Sequence, residues 1–240
     1  MQKIILGDNL AVLPSLPEGF ASLIYIDPPF NTGKARAYND AFMDFEGFLV
    51  PRIKESLRCL TANGSLFVHL DYREVHYVKV ALDWLLGRDH FINEIVWAYD
   101  YGGRPKTRWP CKHDTILWYA RDPKNYIFNY DAIDRVPYMA PGLVGPEKAA
   151  RGKTPTDVWW HTIVPTNGSE KTGYPTQKPL GLLRRLIRVH SNPGDVVLDY
   201  FAGSGTTGAA AAALGRGYVL VDERPEAVEL MRTRLCNSHF

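Results

Sequence analysis

The sequence predicts an α/β fold, with a mostly parallel twisted sheet and helices on both faces. Three features carry this expectation. Short apolar runs of strand length alternate with stretches whose apolar residues recur at helical spacing. Residues 196–199 and 218–222 are strand-like and flank an alanine-rich helical stretch, and strand-helix-strand at that spacing means parallel pairing. The apolar run 21–26 ends in Asp27-Pro28-Pro29-Phe30, where consecutive prolines remove backbone donors and force the chain out of the sheet.

In chain order, residues 3–6 form a short strand closed by Gly7-Asp8, and residues 9–16 form a helical turn or two stopped by Pro17. Beyond the proline exit, residues 31–42 are a polar, glycine-containing loop that carries Lys34 and Arg36. Residues 45–60 place Phe48, Leu49, Ile53, Leu57 and Leu60 on one helical face, with Pro51 tolerated near the start. Asn63-Gly64 reads as the stop of that helix before a strand at 65–70. Residues 73–86 repeat the helical pattern with Val75, Val78, Leu82, Leu85 and Leu86, and Gly87 closes it. Aromatic and branched residues at 91–101 and 115–119 read as a strand pair.

Periodicity fades at 101–112 and 130–173, where Pro, Gly, basic and aromatic residues accumulate. So long an irregular stretch in a compact domain marks a functional insertion, at about residues 101–173 of a single domain spanning 1–240. Trp159 and Trp160 lie in it, and core packing is expected for at least one of them. Regular structure resumes with a helix at 182–189, the strand 196–199, a glycine turn, a helix from Thr206, the strand 218–222 and a last helix from Pro225.

At 240 residues, 45% hydrophobic and 22% charged, the chain has the make-up of a soluble globular protein able to bury a full core. Cys59, Cys111 and Cys236 are widely spaced and form no C-x-x-C, so they read as reduced thiols of a cytoplasmic protein. No signal-peptide layout and no apolar run of membrane-spanning length is present, and no membrane association is expected. Cys111 and His113 lack further donors, so no metal is expected either. Net charge is only +2, yet residues 100–153 hold ten Lys/Arg against six Asp/Glu. Arg104, Lys106, Arg108 and Lys112, flanked by Tyr99, Tyr101 and Trp109, are candidates for DNA contacts together with Lys34 and Arg36. A solvated basic loop is the other reading of that cluster.

Asp27, the Pro28 carbonyl and the Phe30 ring are presented together at a strand's C-terminal end, where open α/β sheets bind ligands. An Asp-Pro pair by itself is also ordinary turn chemistry. Residues 196–207 run strand, glycine turn, helix start, so that the backbone can approach a ligand and unpaired N–H groups face it. Asp222, with Glu223 beside it, ends the next strand and is placed to accept ribose hydroxyls. The turn Gly203-Ser204-Gly205-Thr206-Thr207 is not the full G-x-G-x-x-G, which favours an adenosine-type ligand over a dinucleotide.

Asp27-Pro28-Pro29-Phe30 resembles the D-P-P-Y/F signature of DNA amino-methyltransferases. The stretch 201–207 looks like that family's S-adenosylmethionine loop, 174–179 is similar to its P-T-Q-K-P string, and Gly7-Asp8 also matches. Catalytic signature first, variable region next and cofactor loop last is the permuted order called the β group, and the resemblance covers nearly the whole chain. The chain departs from the pattern at Phe30, where tyrosine is commoner, and at Tyr200, where proline is usual. The resemblance implies a Rossmann-like methyltransferase fold with an inserted irregular DNA-recognition region. It implies that Asp27, Pro28, Pro29 and Phe30 are catalytic. S-adenosylmethionine then lies against Asp8, Lys178, Asp199, Phe201, Ala202, Gly203, Ser204, Gly205, Thr206, Thr207 and Asp222. Double-stranded DNA is the implied partner, and a homodimer is expected because family members often pair.

The chemistry follows from an amino group whose lone pair is delocalised into a base. Two acceptors, the Asp27 carboxylate and the Pro28 carbonyl, bind its hydrogens and stabilise the charge that develops as a methyl arrives. Phe30 stacks on the base, which has to leave the duplex to reach the pocket. An ordinary aspartate is a weak base, so positioning and electrostatics are expected to outweigh proton abstraction. Aspartate at the head of the signature favours adenine N6 by family preference, with cytosine N4 as the alternative. Methylation of protein glutamine or RNA, and a non-catalytic DNA-binding module, are the competing classes.

Overall fold

The computed structural model describes residues 1–36 and 38–236. β2 (Ala21–Ile26) is buried at every position and lies inside an eight-stranded sheet, as an uninterrupted apolar run requires. On one side of β2 come β7 (Val196–Asp199), β8 (Gly217–Asp222) and, at the edge, β1 (Gln2–Leu6). On the other come β3 (Leu60–Leu70), β5 (His113–Ala120), β4 (Phe91–Ala98) and the edge strand β6 (Val158–Trp160). Every pairing is parallel except those of β5, which runs against both β3 and β4. The sheet is mostly parallel, as expected.

Strand alternation sorts the apolar residues into two cores. Ile24, Ile26, Leu66 and Val68 face α1 (Asn9–Val12), α2 (Phe45–Ser56) and α3 (Val75–Leu86), whose Leu49, Ile53, Val78 and Leu82 close that layer. Leu23, Tyr25, Phe67 and Val197 face the opposite way, against α5 (Leu180–His190), α6 (Thr206–Ala213) and α7 (Pro225–Cys236) through Leu182, Leu186, Ala210 and Met231. The result is a three-layer α/β/α sandwich.

Two expectations change. The helix predicted over 45–60 ends at Ser56, and after a single tight turn the chain is already in β3 at Leu60. Asn63-Gly64 therefore lies inside a strand. The β2–β3 register slips between Ala21 and Leu23, and a Cβ on Gly64 would stand 3.1 Å from the Ser22 carbonyl oxygen. Glycine is needed there for a close approach at a strand irregularity, not to stop a helix. The stretch 101–173 is also not one excursion, because β5 and β6 both return to the sheet and the short α4 (Pro146–Arg151) lies between them. Trp159 explains β6: it is buried in the second core, while Trp160 points outward and is exposed.

The C-terminal ends of β1, β8, β7 and β2 share one edge. Leu6 pairs with Asp222 and Asp199 with Leu220, so Gly7-Asp8, Asp222, Asp199 and Asp27 all leave the sheet side by side. Between β7 and β2 the strand order reverses direction, and such a switch point opens a crevice for ligands.

Candidate active site

That crevice is lined by both predicted motifs. Asp27, Pro28, Pro29 and Phe30 share its wall with Asp8, Asp199, Phe201, Ala202, Gly203, Ser204, Thr206, Thr207, Asp222 and Lys178. Gly205, the remaining residue of the glycine turn, sits behind the wall as the left-handed cap of α6. Gly203 and Gly205 have φ of +48° and +72°, and a Cβ on Gly205 would lie 2.7 Å from Met231 Cγ. Only glycine holds both this turn and its packing.

Asp222 is oriented by the loop it serves. Gly203 N–H donates to its Oδ2 at 2.8 Å and Arg224 N–H to its Oδ1 at 3.0 Å, leaving a lone pair on each oxygen for a ligand hydroxyl. Burial raises its carboxyl above the ordinary range. Asp199 is held by Thr207 Oγ1 at 2.6 Å and the Phe201 N–H at 3.0 Å. Burial, opposed by those hydrogen bonds and reinforced by the Asp27 and Asp222 charges, pushes it up to about 7. Tyr174 closes over the loop: a Cβ on Gly203 would meet its ring at 3.1 Å, and Arg224 Nη1 donates to its hydroxyl at 3.3 Å.

Lys178 stands on the catalytic side of the crevice. Its Nζ lies 2.8 Å from Asp27 Oδ1, an ion pair that falls short of hydrogen-bond geometry, and 4.6 Å from the centre of the Phe30 ring. Asp8 caps α1, accepting from Ala11 N–H at 3.1 Å, while its other oxygen pairs with Arg52 at 3.1 Å. It lines the crevice with its carboxylate already engaged by the protein.

A buried chain of polar groups, absent from the sequence reading, runs beneath the catalytic signature. Tyr25 and Asp27 alternate onto the same face of β2 and its exit, as do Phe67 and His69 on β3. Tyr25 Oη lies 2.7 Å from His69 Nδ1, and His69 Nε2 lies 3.3 Å from Asp114 Oδ2. A carboxylate only accepts, so Nε2–H donates to Asp114 and Nδ1 accepts the Tyr25 hydroxyl. Tyr99 donates to Asp114 Oδ1 at 3.0 Å. Burial works against the Asp114 carboxylate, yet the His69 hydrogen bond and charge, with Lys178 and Tyr99, hold it below the usual range. The His69 ring lies between Phe30 and Trp97, with centroids 5.9 and 5.6 Å away. None of these contacts joins residues close in sequence, and no local pattern announces them.

The basic candidates divide. Arg36 pairs with buried Asp40 at 3.1 Å and lines the crevice, while Lys34 is exposed beside it. Asn31 braces this loop by donating to Glu74 at 2.7 Å and accepting from Phe42 N–H at 2.7 Å; Ala37 lies outside the described residues. In the loop between β4 and β5, Arg104 pairs with Asp100, Lys112 donates to the Tyr101 and Gly103 carbonyls, and Arg108 reaches the Tyr72 hydroxyl at 3.4 Å. Lys106 and Trp109 are exposed there. Among the described residues no cluster of three or more His, Cys, Asp or Glu could hold a metal, and no helix is long and apolar enough to cross a membrane.

Fold and crevice together define an α/β protein with a nucleoside-type cofactor loop beside a carboxylate-proline signature. The DNA methylase family model matches residues 21–233, and the chain belongs to that family. It is 34% identical over 259 aligned positions to the DNA adenine methyltransferase YhdJ of Escherichia coli (strain K12), covering 100% of this chain and 84% of that protein. It is 32% identical over 237 positions to the type II methyltransferase M.HpaI of Haemophilus parainfluenzae, covering 98% and 74%. The solved structure of a DNA modification methylase of Thermus thermophilus, TTHA0409, complexed with S-adenosyl-L-methionine, matches with a TM-score of 0.67 at 25% identity over 98% of this chain and 95% of that one. The protein is thus a DNA amino-methyltransferase whose cofactor is S-adenosylmethionine. The crevice fits that group: paired acceptors on Asp222 suit a ribose, and its carboxylates suit a sulfonium cation.

Proposed function

We propose that this enzyme methylates adenine N6 in a specific duplex DNA sequence, acting on a base extruded from the helix. The observation that carries the reading is the single crevice shared by Asp27-Pro28-Pro29-Phe30 and the Gly203–Asp222 cofactor side. When bound, S-adenosylmethionine supplies an electrophilic methyl group on a sulfonium. The chain's own residues do the rest. Asp27 and the Pro28 carbonyl accept the two amino hydrogens, localising the lone pair on nitrogen and stabilising its growing positive charge. Phe30 stacks on the base, and its ring is backed by His69. Tyr174 and Arg224 close the cofactor side against water. Lys34, Lys106 and Arg108 are the basic groups assigned to DNA phosphates, and the irregular stretches within 101–173 are assigned to sequence recognition.

Adenine is favoured by aspartate at the head of the signature and by the 34% identity to a protein named as an adenine methyltransferase. Cytosine N4 presents the same two hydrogens to the same acceptors. The experiment is transfer of labelled methyl with DNA, RNA and protein offered in parallel, followed by nucleoside mass spectrometry. N6-methyladenine in duplex DNA is expected and Asp27→Ala abolishes it. Recovery of N4-methylcytosine alone overturns the adenine assignment, and label only in RNA or protein overturns the DNA substrate.

A further inference from the structure

Lys178 is a buried cation that the chemistry above leaves without a role. Its ammonium touches Asp27 and covers Phe30, the two side chains a target base would engage. Its backbone carbonyl accepts from Thr206 Oγ1 at 3.2 Å, so one residue joins the start of α6 to the catalytic signature. Behind it lies Asp114, fixed by His69 and Tyr99.

We infer that Lys178 is a positioning residue for Asp27: it engages one carboxylate oxygen and keeps the other an ionised acceptor toward the crevice, with buried Asp114 as the lysine's second counter-charge. The inference rests on Asp27 being the acceptor for the target amino group.

The reason is electrostatic. Asp27 shares a partly dry crevice with Asp199 and Asp222, and like charges close together drive a carboxylate toward its protonated form. A protonated Asp27 would present an O–H donor to an amino group that itself donates, and the contact would fail. A compact ammonium at 2.8 Å offsets that repulsion. The lysine keeps its own charge: burial works to strip it, but Asp27 first and Asp114 next hold its pKa above the ordinary lysine value. The other ionisable groups facing this pair are Tyr25 from β2, His69 from β3, Asp199 from β7, Tyr38 from the loop after the signature and Tyr174 from the segment before α5. All of the tyrosines are pushed up by burial, so Lys178 is the cation that answers Asp27. The cofactor role that the family resemblance implies for Lys178 is the competing assignment.

Two measurements test this with K178M and K178R. The first follows the Asp27 carboxyl carbon by NMR through a pH titration of the cofactor-free protein. In K178M its midpoint is expected to rise by about one pH unit or more, and in K178R to stay within about half a unit of wild type. The second is single-turnover transfer of labelled methyl to unmethylated bacteriophage DNA across about pH 5.5–9, with cofactor affinity measured alongside. K178M is expected to lose roughly tenfold in rate at the acid end for each unit of midpoint shift, to recover as pH rises, and to keep cofactor affinity within about threefold. K178R restores the wild-type profile. An unmoved Asp27 titration in K178M overturns the inference whatever the activity. A loss uniform in pH and matched by weaker cofactor binding assigns Lys178 to the cofactor instead. Wild-type protein that transfers no label to DNA overturns the functional reading alone, and the NMR titration still decides on Lys178.

Discussion

Gly205 is the residue whose replacement has the least room. Its φ of +72° places it where a Cβ is strained, and that Cβ would overlap Met231 of α7 at 2.7 Å. G205A is therefore expected to lose about 2–4 kcal/mol of stability, strain and overpacking together. Chemical denaturation checks it, and a midpoint within error of wild type would show that the turn relaxes freely. The glycine itself is legible in the sequence, since a strand-to-helix turn with this spacing asks for one. Its jigsaw partner is not, because Met231 lies in a separate element. The same limit applies to Lys178. The string 174–179 announces that this lysine matters, and family resemblance puts it beside the cofactor. Its ion pair with Asp27 appears only once the segment before α5 is laid across the end of β2.

At the scale of elements, α5 shows how much a pattern can foretell. Leu182, Leu183, Leu186 and Ile187 repeat on one face and all are buried, so L186A is expected to cost about 2–5 kcal/mol, read as a shifted denaturation midpoint. Its neighbour Arg184, outside that buried face, is the control. The loop between β4 and β5 is the opposite case. Its basic composition is plain in the sequence, but composition cannot separate charges that brace the loop from charges that face outward. Arg104 and Lys112 are engaged within it, whereas Lys106 is exposed and Arg108 only leans on Tyr72. K106A and R108A are each expected to lower the slope of log affinity for duplex DNA against log salt by about one, and R104A by less. Equal slopes for all three would mean the ion pairs open on binding. β6 went unseen for a related reason: three residues, Val158–Trp160, are too few to show a period, and only the buried Trp159 anchors them.

For the whole molecule, the sandwich gathers carboxylates into one crevice and leaves a buried histidine elsewhere in the core, and the two pull on stability in opposite directions. His190 sits among Phe67, Trp118 and Phe128, and burial, partly offset by its contact with the Ile127 carbonyl, lowers it to about 3 from 6.5. As pH falls through that window the unfolded chain takes up a proton that the folded chain refuses, so stability is lost on acidification. Asp199, raised from 3.8 to about 7, does the reverse: between those values the folded chain holds a proton that the unfolded chain has released. Its contribution is present at low pH and lost as pH rises through about 7. The shifts are similar in size, so in the shared window from about pH 4 to 6.5 the two slopes largely cancel, and wild-type stability is expected to vary little there. Single substitutions uncover each half. D199N is expected to raise the melting temperature by several degrees at about pH 8, where the wild-type chain carries the buried charge, and to leave it unchanged or lower near pH 5. H190Q is expected to flatten the loss of stability on the acid side. Thermal melts of both variants across this range check the pair. A D199N protein destabilised equally at both ends would mean that the bonds from Thr207 and Phe201 outweigh the buried charge. In that event the carboxylate at the end of β7 serves as a strut for the cofactor turn, and the electrostatic strain of the crevice rests on Asp27 and Asp222.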